Sequence, residues 1–217
     1  MIYSIIPGIL EKDFSEIEKK IELVRGFSKT IHIDIIDGKF ADNKTLLDPS
    51  FFKKFSDDFL LEAHLMVEEP INYLNPFSKA GFKRFLGHVE KMSSIEDFVS
   101  KAEFLGEVGL AFDLDTEIGR VDFNFDDLDE VLLLGVKAGF SGQQFSKKVL
   151  EKIVKLRGKT LIPIAIDGGV NDETIVDLLK SGANRFITTS FLFEGNPIGQ
   201  NEKLLSIISE FEGLPKE

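Results

Sequence analysis

His32, His64 and His88 are the only histidines of the chain, and each lies within or at the end of a short apolar run. His32 and Asp34 stand two apart in IHIDIIDG, so in an extended strand both side chains project to one face. His64, in EAHLMV, offers another imidazole, and Asp167, in IAIDGGV, another carboxylate. Brought together, these two imidazoles and two carboxylates make an N2O2 set suited to one divalent ion: Zn2+, Fe2+ or Mn2+. The chain has no cysteine, which excludes thiolate metal sites, thiol nucleophiles and disulfides. Such an ion can polarise a ketone and its neighbouring hydroxyl and stabilise an enediolate, provided acid/base groups move the proton. One base returning the proton to the same face restores the configuration, whereas two groups on opposite faces invert it. Asp34 and Asp167 come from different runs, so they can approach a bound substrate from different sides.

A second set of residues suggests an anion. Turns of small residues follow three late apolar runs, two of them with glycine: GFSGQQF at 139–145 and DGGV at 167–170, then TTS at 188–190. Glycine lets backbone N–H groups come close to a phosphate, and barrels commonly hold phosphate after their seventh and eighth strands. A phosphorylated ligand is expected there.

The elements that must position these residues recur as one unit: an apolar run, a polar loop, then an amphipathic stretch. The runs span residues 2–6, 30–36, 59–67, 84–89, 108–112, 130–136, 160–166 and 185–188. They are continuous rather than alternating, as buried parallel strands are. Helical patterning follows at 13–24, with Phe14, Ile17, Ile21 and Val24 on one face, at 93–104, where Ser93 and Glu96 have capping-box spacing, and at 171–180. Residues 115–129 show little helix. Eight such units in 217 residues, about 27 residues each, predict an α/β fold of the (β/α)8 TIM-barrel type in a single domain, with a C-terminal tail after about residue 212. The competing open doubly wound sheet lacks its signature, because the first run continues as PGILEKD and not as GxGxxG.

Composition sets limits on partners. A formal charge of -11 opposes a phosphate backbone or an anionic membrane surface, so neither nucleic acid nor membrane is expected as a partner. No stretch approaches the roughly 18 apolar residues of a membrane span, and the start lacks the pattern of a signal peptide. A soluble cytoplasmic protein is expected. The 21 phenylalanines, with no tryptophan, fit core filling and also permit a homo-oligomer.

The segments IHIDIIDGKF (31–40), AHLMVEEP (63–70), GFSGQQF (139–145) and IDGGVNDETI (166–175) resemble the ribulose-phosphate 3-epimerase family in content, order and spacing. The resemblance implies a divalent-metal-dependent isomerase that inverts C3 of D-ribulose 5-phosphate to give D-xylulose 5-phosphate, and an oligomer of the chain. It places the metal ligands on His32, Asp34, His64 and Asp167, and the acid/base pair on Asp34 and Asp167. It places substrate contacts on Gly8, His64 and Met66, and phosphate contacts on Gly139, Phe140, Ser141 and Gly142, on Gly168 and Gly169, and on Thr189 and Ser190. His88 and Glu90 are expected to support the site, and Asp37 either to neighbour it or to cap its own loop. The chain also departs from the family pattern. Gly8 stands where a substrate-contacting serine is usual, and Lys137-Ala138-Gly139-Phe140-Ser141-Gly142 where NPGFGG is usual. Thr189-Ser190 replaces Gly-Ser, Asp113-Leu114-Asp115-Thr116 replaces NPxT, and Ile36 and Leu134 replace two methionines. These changes leave two alternatives: an epimerase for another ketose phosphate such as D-allulose 6-phosphate, or a catalytically weak barrel that binds metal or sugar phosphate.

Overall fold

The computed structural model describes residues 2–213; most of the expected tail, residues 214–217, lies outside them. Eight strands, β1 Ser4–Ile9, β2 Thr30–Ile36, β3 Leu60–Met66, β4 Phe82–His88, β5 Glu107–Phe112, β6 Glu130–Leu134, β7 Ile164–Asp167 and β8 Arg185–Thr188, pair in sequence order into a closed barrel. Every neighbouring pair is parallel, including β1 with β8.

Continuous apolar runs suit this arrangement because each strand is buried on both faces. One set of alternate residues, such as Ile31, Ile33, Ile35, Phe85, Leu133 and Phe186, faces the helices in the large outer core. The other set points into the barrel, where Ile6, Leu86, Ala111, Leu132, Ala165 and Ile187 form a separate apolar layer. Counting two residues along the strands from that layer, whose level His32 and His64 share, locates the other inward residues. Toward the strand starts come Glu62, Arg84, Glu130 and Arg185. Toward the strand ends come Gly8, Asp34, Met66, His88, Leu134 and Asp167, with Thr189 one residue beyond β8.

Helices α1 Phe14–Val24, α2 Leu74–Lys79, α3 Ile95–Glu103, α4 Lys148–Arg157, α5 Ile175–Ser181, α6 Ser190–Phe193 and α7 Pro197–Glu212 pack outside. The predicted face of α1 is the one buried, through Ile17, Ile21 and Val24, each contributing roughly 1.5–3 kcal/mol of burial. Asp13 caps it by accepting from the Ser15 N–H at 2.7 Å.

Several boundaries differ from the sequence expectation. β1 runs on through Pro7 and Gly8, because it pairs with β8 as far as Pro7 and with β2 at Gly8 and Ile9. β7 starts later than residue 160, since Thr160 is tied into a turn beside Asp126 and Pro163 precedes the strand. The N-cap of α3 is Ser94, which accepts from Asp97 N–H at 3.0 Å; Ser93 instead donates its hydroxyl to Glu69. After β2 and after β5 no α-helix forms: 3-10 segments stand at Pro49–Phe55, Ile118–Arg120 and Phe125–Asp127. Among the described residues, no helix is long and apolar enough to cross a membrane.

Candidate metal centre and active-site cleft

Strand register assembles the centre. Asp34 lies opposite His64 across β2 and β3, and Asp167 ends β7 on the far side of the barrel mouth. One ligand atom each from His32, Asp34, His64 and Asp167 lies within 4.8 Å of the others. Both imidazoles are fully buried, Asp34 nearly so, and Asp167 keeps 13 % exposure toward the cleft.

The two imidazoles are held by different ring nitrogens. The Nδ1–H of His32 donates to Glu62 at 2.5 Å, which leaves its Nε2 facing Asp34. Glu90 accepts from the Nδ1–H of His88 at 2.9 Å, so the Nε2 of His88 is free to accept from His64 Nε2–H, also at 2.9 Å. Nδ1 of His64 therefore faces the centre, 2.7 Å from Asp34 and 3.4 Å from Asp167. A carboxylate behind each ligand imidazole, direct for His32 and through His88 for His64, is the arrangement that orients metal-binding histidines.

The residues fit one divalent ion. Nε2 of His32 is a buried polar atom with no hydrogen-bond partner, a costly state that a metal bond removes. Donors about 2.1 Å from an ion stand some 3–4 Å apart, close to the spacing found here. The charges agree. Burial alone would raise the Asp34 carboxyl, but the imidazoles of His32 and His64 beside it outweigh burial and lower the pKa to about 2. Burial opposes charge on His32 and His64 too, yet their carboxylate neighbours raise both above the ordinary imidazole value. His88 goes the other way: burial lowers it, against the pull of Glu90.

Above the centre opens a cleft with Asp34, Met66 and Asp167 on its floor. The turns named from the sequence form its walls: Gly139, Phe140, Ser141 and Gly142 on one side, Gly168, Gly169, Thr189 and Ser190 on the other. Gly168 has φ +92 and Gly169 φ +73, and a Cβ on Gly168 would meet Val136 at 2.5 Å, so this turn admits little but glycine. The turn after β6 is anchored by Asn43, whose side-chain amide donates to the Gly139 carbonyl at 2.7 Å, and by Gln143, which donates to the Lys137 and Phe140 carbonyls. Phe140 is half exposed at its tip.

Gly8 is buried under Thr189 and does not line the cleft, nor does His64, which is fully buried beneath it. Asp37 takes the capping role of its two expected ones, accepting from the N–H groups of Lys39, Phe40 and Glu68. Sequence reasoning missed Glu62, whose only signal was its place two residues before His64 on the same strand face. It also missed Leu10, Val136 and Gln143 of the cleft wall, which carry no distinguishing residue type.

Residues 4–193 match the model of the ribulose-phosphate 3 epimerase family. The chain is 34% identical over 219 residues to ribulose-phosphate 3-epimerase of Bacillus subtilis, covering 96% of this chain and 98% of that protein. It is 32% identical to the enzyme of the same name from Chlamydia pneumoniae, covering 96% and 95%. Among solved structures, KGPDC from Streptococcus mutans superposes with a TM-score of 0.76 at 12% identity, over 98% of this chain and 100% of that one. At that identity the likeness is one of fold.

Proposed function

The chain belongs to the ribulose-phosphate 3-epimerase family, and from that premise we propose that it interconverts D-ribulose 5-phosphate and D-xylulose 5-phosphate, with Asp34 and Asp167 as the two proton-transfer groups. The observation that carries the reading is the cluster of His32, Asp34, His64 and Asp167 at the floor of a cleft walled by glycine turns. These four residues would hold one divalent ion, which supplies polarisation of the substrate's ketone and adjacent hydroxyl when bound.

The chain's own groups then account for the proton. Asp34 is anionic at neutral pH and takes the proton from C3 on one face, as the C3–H electron pair moves into the enediolate. Asp167, on the opposite side of the barrel mouth and open to the cleft, donates a proton to C3 from the other face as the ketone re-forms. The turnover leaves Asp34 protonated and Asp167 ionised, so the pair is poised for the reverse reaction or resets by exchange with water. The turns of residues 139–142 and 168–169 suit the phosphate.

A second reading, an epimerase of D-allulose 6-phosphate, is favoured by one feature: Gly8 contributes no side chain to the cleft and Thr189 stands over it. Both readings are tested by NMR in D2O on protein loaded separately with Zn2+, Mn2+ and Fe2+. The expected result is product from D-ribulose 5-phosphate with deuterium at C3, lost by about 10²–10⁴-fold in Asp34→Asn and in Asp167→Asn. Neither product nor exchange with any metal would sink the ribulose 5-phosphate assignment, and the same assay on D-allulose 6-phosphate then decides the second reading.

A further inference from the structure

Gly8 and Thr189 compete for one volume. A Cβ placed on Gly8 would lie 2.5 Å from Thr189 Oγ1 and 2.7 Å from Ile187 Cγ2, so position 8 cannot carry a side chain while Thr189 stands as it does. The two residues meet because β1 and β8 close the barrel, with Pro7 opposite Thr188. Arg185, Ile187 and Thr189 follow the period of two, which puts the Thr189 side chain on the inward face, in the layer of Asp34 and Asp167. The neighbouring hydroxyl of Thr188 is engaged by the Val170 carbonyl at 3.3 Å. That of Thr189 has no partner among the described residues, and Thr189 forms part of the cleft wall.

An unpaired hydroxyl on the inward face, level with the two carboxylates, lies beside the part of the ligand that reacts. The phosphate turns continue outward from the strands, beyond that layer. We propose that the Thr189 hydroxyl hydrogen-bonds a carbinol oxygen of the sugar, making it a specificity contact, and that Gly8 is glycine in order to give it room. The inference rests on the ketose-phosphate reading above and moves Thr189 from the phosphate, where the family resemblance would put it, to the sugar.

The test uses whichever of D-ribulose 5-phosphate and D-allulose 6-phosphate the metal-loaded wild type turns over, with inorganic phosphate as a competitive probe of the phosphate turns. Thr189→Val is expected to lower kcat/KM about tenfold, the effect of one lost hydrogen bond, while the inhibition constant of phosphate stays within about twofold. Thr189→Ser, which keeps the hydroxyl, recovers most of the loss. Gly8→Ser drives a side chain into both Thr189 and Ile187 and is expected to lose activity, with an effect not additive with that of Thr189→Gly because the two residues share one space. If kcat/KM of Thr189→Val stays within about twofold of wild type, or if phosphate inhibition weakens in step with it, the sugar contact is wrong. Those outcomes occur with an active wild type and overturn this inference alone. A wild type inactive on both ketose phosphates overturns the functional reading and this inference together.

Discussion

At the scale of single residues, the centre presents His32 through Nε2 and His64 through Nδ1, and each presentation depends on what holds the other nitrogen. Glu62 does this directly for His32. For His64 the support is a chain: Glu90 fixes the proton on His88 Nδ1, which frees His88 Nε2 to accept from His64. The Glu90 carboxyl is well suited to the task, since burial would raise it but the hydrogen bond from His88 outweighs that and lowers its pKa to about 2. Its other oxygen accepts from the Asp113 N–H at 2.8 Å, which fixes the carboxylate in turn. Glu90→Gln keeps the shape and removes the charge. Metal affinity, measured by competition with a chelator, is expected to weaken about tenfold, while the melting temperature of the metal-free protein changes little. A lower melting temperature with unchanged metal affinity would reduce the chain to a packing role.

At the scale of elements, the starts of β3, β4, β6 and β8 place four charges inside the barrel. Glu62 accepts from Arg84 and from Arg185 at 2.7 Å each, and Arg185 also pairs with Glu130. Burial, reinforced by repulsion from Glu62, raises Glu130 to about 7, against the pull of Arg185 and Arg84. A carboxyl raised on folding stabilises the fold below its unfolded value of 4.5 and loses that contribution as pH rises through about 7. Glu130→Gln is therefore expected to gain on wild type, on the order of 2 kcal/mol, between pH 4.5 and 8 in denaturant titrations. A constant difference across that range would contradict it. None of these four charges was legible in the sequence. Arg84, Glu130 and Arg185 open their apolar runs, where a charged residue reads as part of the loop, Glu62 is a lone charge within its run, and only closure of the barrel brings strands so distant in sequence around one interior. The candidate metal centre was legible for the opposite reason: His32, Asp34, His64 and Asp167 interrupt or end apolar runs at one rim. Helix positions were less readable where tertiary contacts override local pattern, as at Pro49–Phe55, which buries Phe52 and Phe55 from a 3-10 segment.

At the scale of the whole molecule, metal binding is coupled to folding and to pH. In the metal-free protein His32 and His64 are raised above the ordinary imidazole value, so their charged forms stabilise the fold fully below pH 6.5. That contribution fades as pH rises through the raised values. An ion displaces such protons, so its affinity rises with pH. Bound metal stabilises the native state in proportion to the logarithm of that affinity. The melting temperature is therefore expected to fall from pH 6.5 to 9 in chelator and to fall less, or to rise, in saturating Zn2+. Parallel profiles would mean that the imidazoles do not exchange protons for metal. The same exchange bears on the chain's formal charge of -11. A dication that displaces protons changes the net charge less than one that binds unprotonated imidazoles, so the field of the molecule biases the exchange less. The affinity for Zn2+ should therefore depend less on ionic strength where imidazole protons are released than above the raised imidazole values, where none are and added salt should weaken it.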